Sequence, residues 1–206
     1  MLEVAKEMIA EGGENSFTIR DLASRANVSV TTIYAAFGDK KGLIAAAIED
    51  YYEDLPIAHV APTTSLTALL ATQEEVREAI LSNKSYAREY AELYFSKNLD
   101  HRIYKAIQET TISSAGYLPW LQKASRDGEL IAGINLKYIT MLMANQRLMV
   151  LHDWAQGRIS DEDMTDTSKL IFLILARGIT RGATQARVEA ELKRLLRTSA
   201  PAHIAA

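Results

Sequence analysis

At 206 residues, 48% of them hydrophobic and 24% charged, with 10 glycines and 4 prolines, the chain has the make-up of a folded globular protein. That length suits one large or two small domains, and the composition excludes collagen-like, repetitive and largely disordered architectures. The absence of cysteine rules out disulfides, thiolate metal sites and a cysteine nucleophile, and suits a reducing cytosol. A net charge of −3 excludes a broadly basic nucleic-acid-coating protein, so any contact with phosphate must be confined to one small face.

Apolar residues recur at helical spacing almost throughout, which predicts an all-α fold. The first helix is expected over residues 2–11, burying Val4, Ala5, Met8 and Ile9 and stopping at Gly12-Gly13. This opening is acidic and amphipathic and does not read as a secretory signal. Thr18 is a good N-cap for a second helix to about residue 26, with Ile19, Leu22 and Ala23 on one face. Asn27, a residue that tolerates positive φ, follows. Ser29 can cap a third helix over 30–37, whose inward pair is Ile33 and Phe37. Asp39 caps a fourth, over 40–54.

The stretch 56–62, with a proline at each end, is the clearest boundary in the chain. Further helices are expected near 64–81, 84–96, 100–126, 135–157, 161–181 and 183–198, and the tail from 198 onward is expected to fray. The strongest apolar run, LIFLILA over 170–176, is far shorter than the roughly 20 residues that span a bilayer.

Two short helices joined by a tight turn, the second stiff and rich in small polar groups, have the form of a helix-turn-helix. Short side chains such as Thr31 and Thr32 let a helix backbone approach a major groove, where hydroxyls reach phosphates or base edges and methyls meet thymine methyls. Tyr34 can donate its phenol proton to a phosphate, and Arg20 is long enough to reach a guanine edge or the backbone. Lys40 and Lys41 stand at the positive end of the fourth helix, where cations are unfavourable unless an anion sits nearby. A bound phosphate is one such anion, and the Asp39 cap is the other. Over 16–43 the cations Arg20, Arg25, Lys40 and Lys41 outnumber Asp21 and Asp39, which gives the small basic face its location.

Residues 16–48, SFTIRDLASRANVSVTTIYAAFGDKKGLIAAAI, resemble the DNA-binding domain of the TetR family of bacterial transcriptional regulators. The resembling parts are Thr18, the turn NVS, the helix TTIYAAF, the turn GDKKGL and the apolar IAAAI. The resemblance implies a helix-turn-helix domain over 1–48 and a larger helical effector-binding and dimerisation domain over 49–206. It implies Thr18, Arg20, Ser29, Val30, Thr31, Thr32, Tyr34, Lys40 and Lys41 at the DNA, with Tyr34 and Lys40 as phosphate clamps and Val28, Ile33 and Phe37 as core. The implied partners are a palindromic double-stranded operator, a small-molecule effector and a second copy of the chain. A bacterial cytoplasmic location, at the nucleoid when DNA is bound, goes with it. Asn27 replaces the family's usual glycine, and Ala35 and Ala36 stand where aromatic and histidine residues are common. A shallow salt dependence is expected in consequence.

Candidate effector contacts are polar groups in apolar helices: Tyr86, Tyr90 and Tyr94 at i, i+4 and i+8, then Gln108, Tyr117, Trp120, Asn145, Gln146, Arg147 and His152. A tyrosine stripe of this spacing is equally compatible with a core. A dimer surface is expected to include Trp154, Leu170, Phe172, Leu173, Ile174 and Arg177, because 170–175 is apolar on all sides. The same run also fits a core helix within one chain. No G-x-S-x-G, H-E-x-x-H or G-x-G-x-x-G occurs, and His59, His101, His152 and His203 lack metal-ligand spacing, so neither catalysis, cofactor nor metal is expected. The rival reading is a helical partner-binding or dimerisation protein that keeps the motif without binding DNA.

Overall fold

The computed structural model describes residues 1–55 and 62–198. Most of the 56–62 boundary, with His59, and the tail with His203 lie outside the described residues. Among the described residues there are eleven helices and no strand, only one isolated bridge between Leu130 and Thr180. No described helix is long and apolar enough to cross a membrane.

Local chemistry sets the first four helices. Helix α1 (Leu2–Gly12) closes at Gly13, whose φ of 74° lets its N–H reach the Ile9 carbonyl. Helix α2 (Ile19–Arg25) starts in a capping box, with Thr18 Oγ1 accepting from the Asp21 N–H and the Asp21 carboxylate accepting from the Thr18 N–H. Asn27 takes a φ of 51° in the turn, alone among the described non-glycine residues. Ser29 then caps α3 (Val30–Phe37) by accepting from the Thr32 N–H at 3.0 Å, and Asp39 caps α4 (Lys40–Glu53) by accepting from the Gly42 N–H at 2.9 Å. The core beneath these caps is made of Ile9, Phe17, Ile19, Leu22, Ile33, Leu43 and Ile44.

Seven helices follow: α5 (Leu66–Ser82), α6 (Lys84–Tyr94), α7 (His101–Ala115), α8 (Tyr117–Arg126), α9 (Leu136–Ala155), α10 (Asp163–Ile179) and α11 (Gly182–Thr198). The single helix expected over 100–126 is thus two. Gly116 turns left-handed at φ 64°, and Pro119 falls in the first turn of α8, where its missing N–H costs no hydrogen bond.

Packing does not stop at the end of α4. That helix crosses α7 and lies along α1, while α1 leans on α6, so Ile44 and Ile48 share one core with Tyr86, Ile103 and Ile107. A second core joins α5, α8, α9, α10 and α11 through Leu69, Tyr117, Trp120, Met143, Phe172 and Val188. The α3–α4 crossing is close. A Cβ on Gly42 would stand 2.1 Å from the Phe37 carbonyl oxygen, which is backbone and cannot swing aside. Gly42→Ala is therefore expected to push α3 off α4 and to cost about 1–3 kcal/mol, measurable by urea denaturation; unchanged stability would mean the crossing is looser than it stands here.

Candidate nucleic-acid interface and ligand cavity

Helix α3 carries an exposed ridge. Thr31, Thr32 and Tyr34 face solvent, Tyr34 with 48% of its surface exposed, while Ile33 between them is fully buried. The alternation follows from helical spacing: Ile33 locks α3 onto the core, so its neighbours must point away. Ser29 Oγ and Thr32 Oγ1 are 2.7 Å apart, so the cap that starts the helix also fixes one hydroxyl of the ridge. Val30 is half-buried against the core, and Thr18 is held in its capping box. Arg20 is exposed and forms no ion pair among the described residues. Arg25 is tied back to Glu7 and Glu11 of α1, at 2.9 and 2.8 Å.

The two lysines at the start of α4 are engaged within the chain. The Lys40 ammonium donates to the Phe17 carbonyl at 2.5 Å and to the Glu14 carbonyl, and lies 4.4 Å from the centre of the Phe17 ring. Burial holds its pKa below the ordinary lysine value, and the charge of Lys41 acts the same way against the pull of Glu14. Lys41 pairs with the Glu14 carboxylate. Both side chains therefore fasten the α1–α2 loop, and whatever they offer a phosphate is offered from a fixed position. At the same corner Asp39 accepts from Arg102 of α7 at 2.9 Å, and that hydrogen bond, with the Gly42 N–H, keeps the Asp39 carboxyl below its ordinary pKa.

The far half of α4 forms a wall of a cavity of about 120 Å³. Ile48, Tyr51 and Tyr52 come from α4, Gln73 and Arg77 from α5, Tyr86 and Tyr90 from α6, Thr110 and Thr111 from α7, Arg147 from α9 and Ser168 from α10. Tyr51 stacks on Tyr86 with ring centres 4.1 Å apart. The Tyr90 hydroxyl is 3.2 Å from Thr110 Oγ1, and the Gln73 amide joins the Tyr117 hydroxyl at 3.3 Å to Ser168 Oγ at 3.1 Å. Arg147 is buried, which lowers its pKa from the ordinary arginine value, while the oxygens of Tyr117, Tyr52 and Tyr90 oppose that shift. A guanidinium remains charged even so.

Residues 1–47 match the family model for bacterial regulatory proteins of the tetR family. The N-terminal domain is a TetR-family domain. The whole chain has the fold of known regulators at low sequence identity. Against FadR of Bacillus subtilis, a transcriptional regulator crystallised with stearoyl-CoA, identity is 18%, coverage 86% of this chain and 97% of that one, and the TM-score 0.61. A putative TetR-family regulator from Syntrophomonas wolfei gives 15%, 96% and 95%, and 0.63. A TetR regulator from Agrobacterium tumefaciens gives 19%, 91% and 96%, and 0.60. No curated protein matches the sequence.

Within this TetR fold the candidate effector residues are scattered. Tyr86 and Tyr90 line the cavity. Tyr117 and Trp120 belong to the second core, Tyr117 stacked on Phe172 at 4.8 Å and Trp120 tilted against it at 5.8 Å. Tyr94 receives a hydrogen bond from Gln108 at 3.0 Å and sits beside Phe95 and Tyr104. His152 rests on the Phe95 ring at 4.3 Å. Asn145 and Gln146 lie on α9 outside the lining, although the next residue, Arg147, is inside it. The cavity residues Tyr51, Tyr52, Gln73, Arg77, Thr110, Thr111 and Ser168 had no sequence signal beyond being polar groups on helical faces that otherwise read as apolar.

The expected dimer residues divide by depth. Trp154, Phe172 and Leu173 face inward, Trp154 giving its indole N–H to Asp161 at 2.8 Å. Phe172 and Leu173 are covered by α5, α9 and α11 of the same chain and Trp154 by α6 and α10, which corrects the expectation that a second copy must cover them. Ile174 is 54% exposed, Leu170 is half-buried, and Arg177 pairs with Glu189 of α11 at the surface.

Proposed function

We propose that the chain is a DNA-binding transcriptional regulator, a repressor released from its operator by a small molecule. One observation carries this reading: α4 begins in the helix-turn-helix core at Lys40 and ends in the cavity wall at Tyr51 and Tyr52, so one rigid element belongs to both places. Residues 1–48 act as the DNA-reading head and 49–206 as the effector-binding and dimerising body. Thr31, Thr32 and Tyr34, with Arg20, form the ridge that enters a major groove. Ser29 and Thr18 hold it in place through their caps, Val30 flanks it, and Lys40 and Lys41 steady the loop beside it. A single head covers too little duplex for tight binding, so two copies joined through the exposed side of α10 span two half-sites about one turn apart. Stearoyl-CoA in the similarly folded FadR supports a ligand in this architecture. The protein works in the bacterial cytoplasm.

Release requires that the ligand favour the spacing of heads that does not fit the operator; a ligand indifferent to spacing shifts nothing. The test has two parts. Footprinting on the DNA flanking the chain's own gene should give a palindromic, salt-sensitive protection, and none at low salt would favour a partner-binding protein instead. Calorimetry should then find that an inducer binds the operator complex more weakly than the free protein. Equal affinities would remove the release mechanism.

A further inference from the structure

The polar groups of the cavity are largely engaged within the protein, and that narrows its ligand; the inference rests on the effector reading above. The described lining contains no aspartate or glutamate, and its charged side chains are Arg77 and Arg147. Arg77 donates from Nε to the Asp161 carbonyl at 2.7 Å and from an Nη to Glu74 at 2.8 Å. Arg147 is buried and likewise has an interaction within the chain. The uncharged groups follow suit, Tyr90 joined to Thr110 and Gln73 to Ser168. An ion entering this space would shed its water and meet, among the described lining residues, no counter-charge free to replace it.

One lining group stands apart. The Tyr86 hydroxyl, on a side chain 1% exposed, is the only buried side-chain polar atom of the described lining without a hydrogen-bond partner. Burial above all, then the nearby phenols of Tyr90 and Tyr51 and the Asp50 carboxylate, raise its pKa above the ordinary tyrosine value, so it keeps its proton and remains a donor. Tyr90 and Tyr51 line the cavity too, which sets this donor among the groups of the cavity wall. Leaving such a donor unpaired is costly, and a guest that brings an acceptor removes the cost. Ile48, Val150, Leu151 and Met164 make much of the remaining wall apolar. The volume of about 120 Å³ is on the scale of the ~150 Å³ cavity that accepts benzene, enough for a ring with a short substituent and too little for a long acyl chain. We infer that the cavity takes a compact, uncharged ring compound with one hydrogen-bond acceptor, its apolar body against the aliphatic wall and its acceptor on the Tyr86 hydroxyl.

Acetophenone, ethylbenzene and benzoate test this by calorimetry on the full chain, since they offer the same ring with an acceptor, with none and with a charge. Acetophenone should bind at least about tenfold more tightly than benzoate, whose carboxylate would lose charge-assisted hydrogen bonds to water without replacement. Tyr86→Phe, which keeps the ring that stacks on Tyr51, should weaken acetophenone about five- to tenfold and leave ethylbenzene unchanged. Ala79→Leu, which fills the cavity from α5, should abolish the binding of both. Should Tyr86→Phe fail to fold, Ala79→Leu and the comparison with benzoate still decide. Benzoate binding as tight as that of acetophenone, a Tyr86→Phe protein that weakens both neutral probes alike or neither, acetophenone binding that survives Ala79→Leu, or no acetophenone binding at millimolar concentration overturns the assignment. Acetophenone binding that depends on Tyr86 but leaves operator affinity unchanged upholds the site and defeats the effector reading. Operator release by benzoate with no binding of acetophenone does the reverse.

Discussion

Phe172→Ala is expected to lower unfolding stability by about 3–5 kcal/mol, because it removes a fully buried ring stacked on Tyr117 and tilted against Trp120 and leaves a cavity its neighbours fill only in part. The loss should be the same at every protein concentration, since the contacts lie within one subunit. Ile174→Glu, one turn-fraction away on the same helix but half exposed, should stay within about 0.5 kcal/mol of the parent. Its effect should appear in sedimentation instead, as a larger share of single chains. Denaturation and sedimentation of the two variants side by side separate a core role from an interface role. If Phe172→Ala melts normally, or if its loss fades at high concentration, the division of α10 into a buried and an outer side is wrong.

Lys40→Met has the second largest expected effect. The ammonium group is hydrogen-bonded to the Glu14 and Phe17 carbonyls and lies over the Phe17 ring, and hydrogen bonds to a charged donor are each worth about 1.5–3 kcal/mol. The variant should lose about that much stability, loosen the α1–α2 loop, and weaken binding to all DNA sequences alike. Tyr34→Phe should weaken DNA binding with no change in melting, because the phenol faces solvent and holds nothing in the fold. Circular dichroism melts beside gel shifts measure both. A Lys40→Met protein that melts like the parent yet fails on DNA would restore a pure phosphate-clamp role for that lysine.

The head was legible residue by residue because its determinants are local. Thr18, Ser29 and Asp39 each bond the N–H three positions on, and Asn27 needs only its own backbone freedom, so sequence distance and spatial distance coincide. Lys40 was less legible: its acceptors are 23 and 26 positions back along the chain, and nothing in GDKKGL reveals them. Gly116 carried a readable stop signal that helical periodicity on both sides concealed. The cavity lay further from reach, since six helices meet there. The tyrosine stripe found Tyr86 and Tyr90, but Tyr94 falls at the end of α6 and turns to Gln108. Residues 170–175 were read as needing a second copy because periodicity reports that a face is apolar, not which helix covers it; here α5, α9 and α11 cover Phe172 and Leu173, while Ile174 stays exposed and Leu170 half-buried.

Helix α4 is gripped along its whole length. Arg102 holds Asp39 at its start, the Lys6 ammonium bridges Asp50 and Asp54 at its end at 2.9 and 3.1 Å, and the Tyr51 ring lies flat on Tyr86 between them. A rod fastened at both ends moves as a unit and does not buckle, so on the function proposed above a guest that shifts one end would carry the other with it. On that function, sensing and reading meet through this rod and through the packing of α1 on α6. Changing the pocket wall can retune the signal while leaving the reading end as it was.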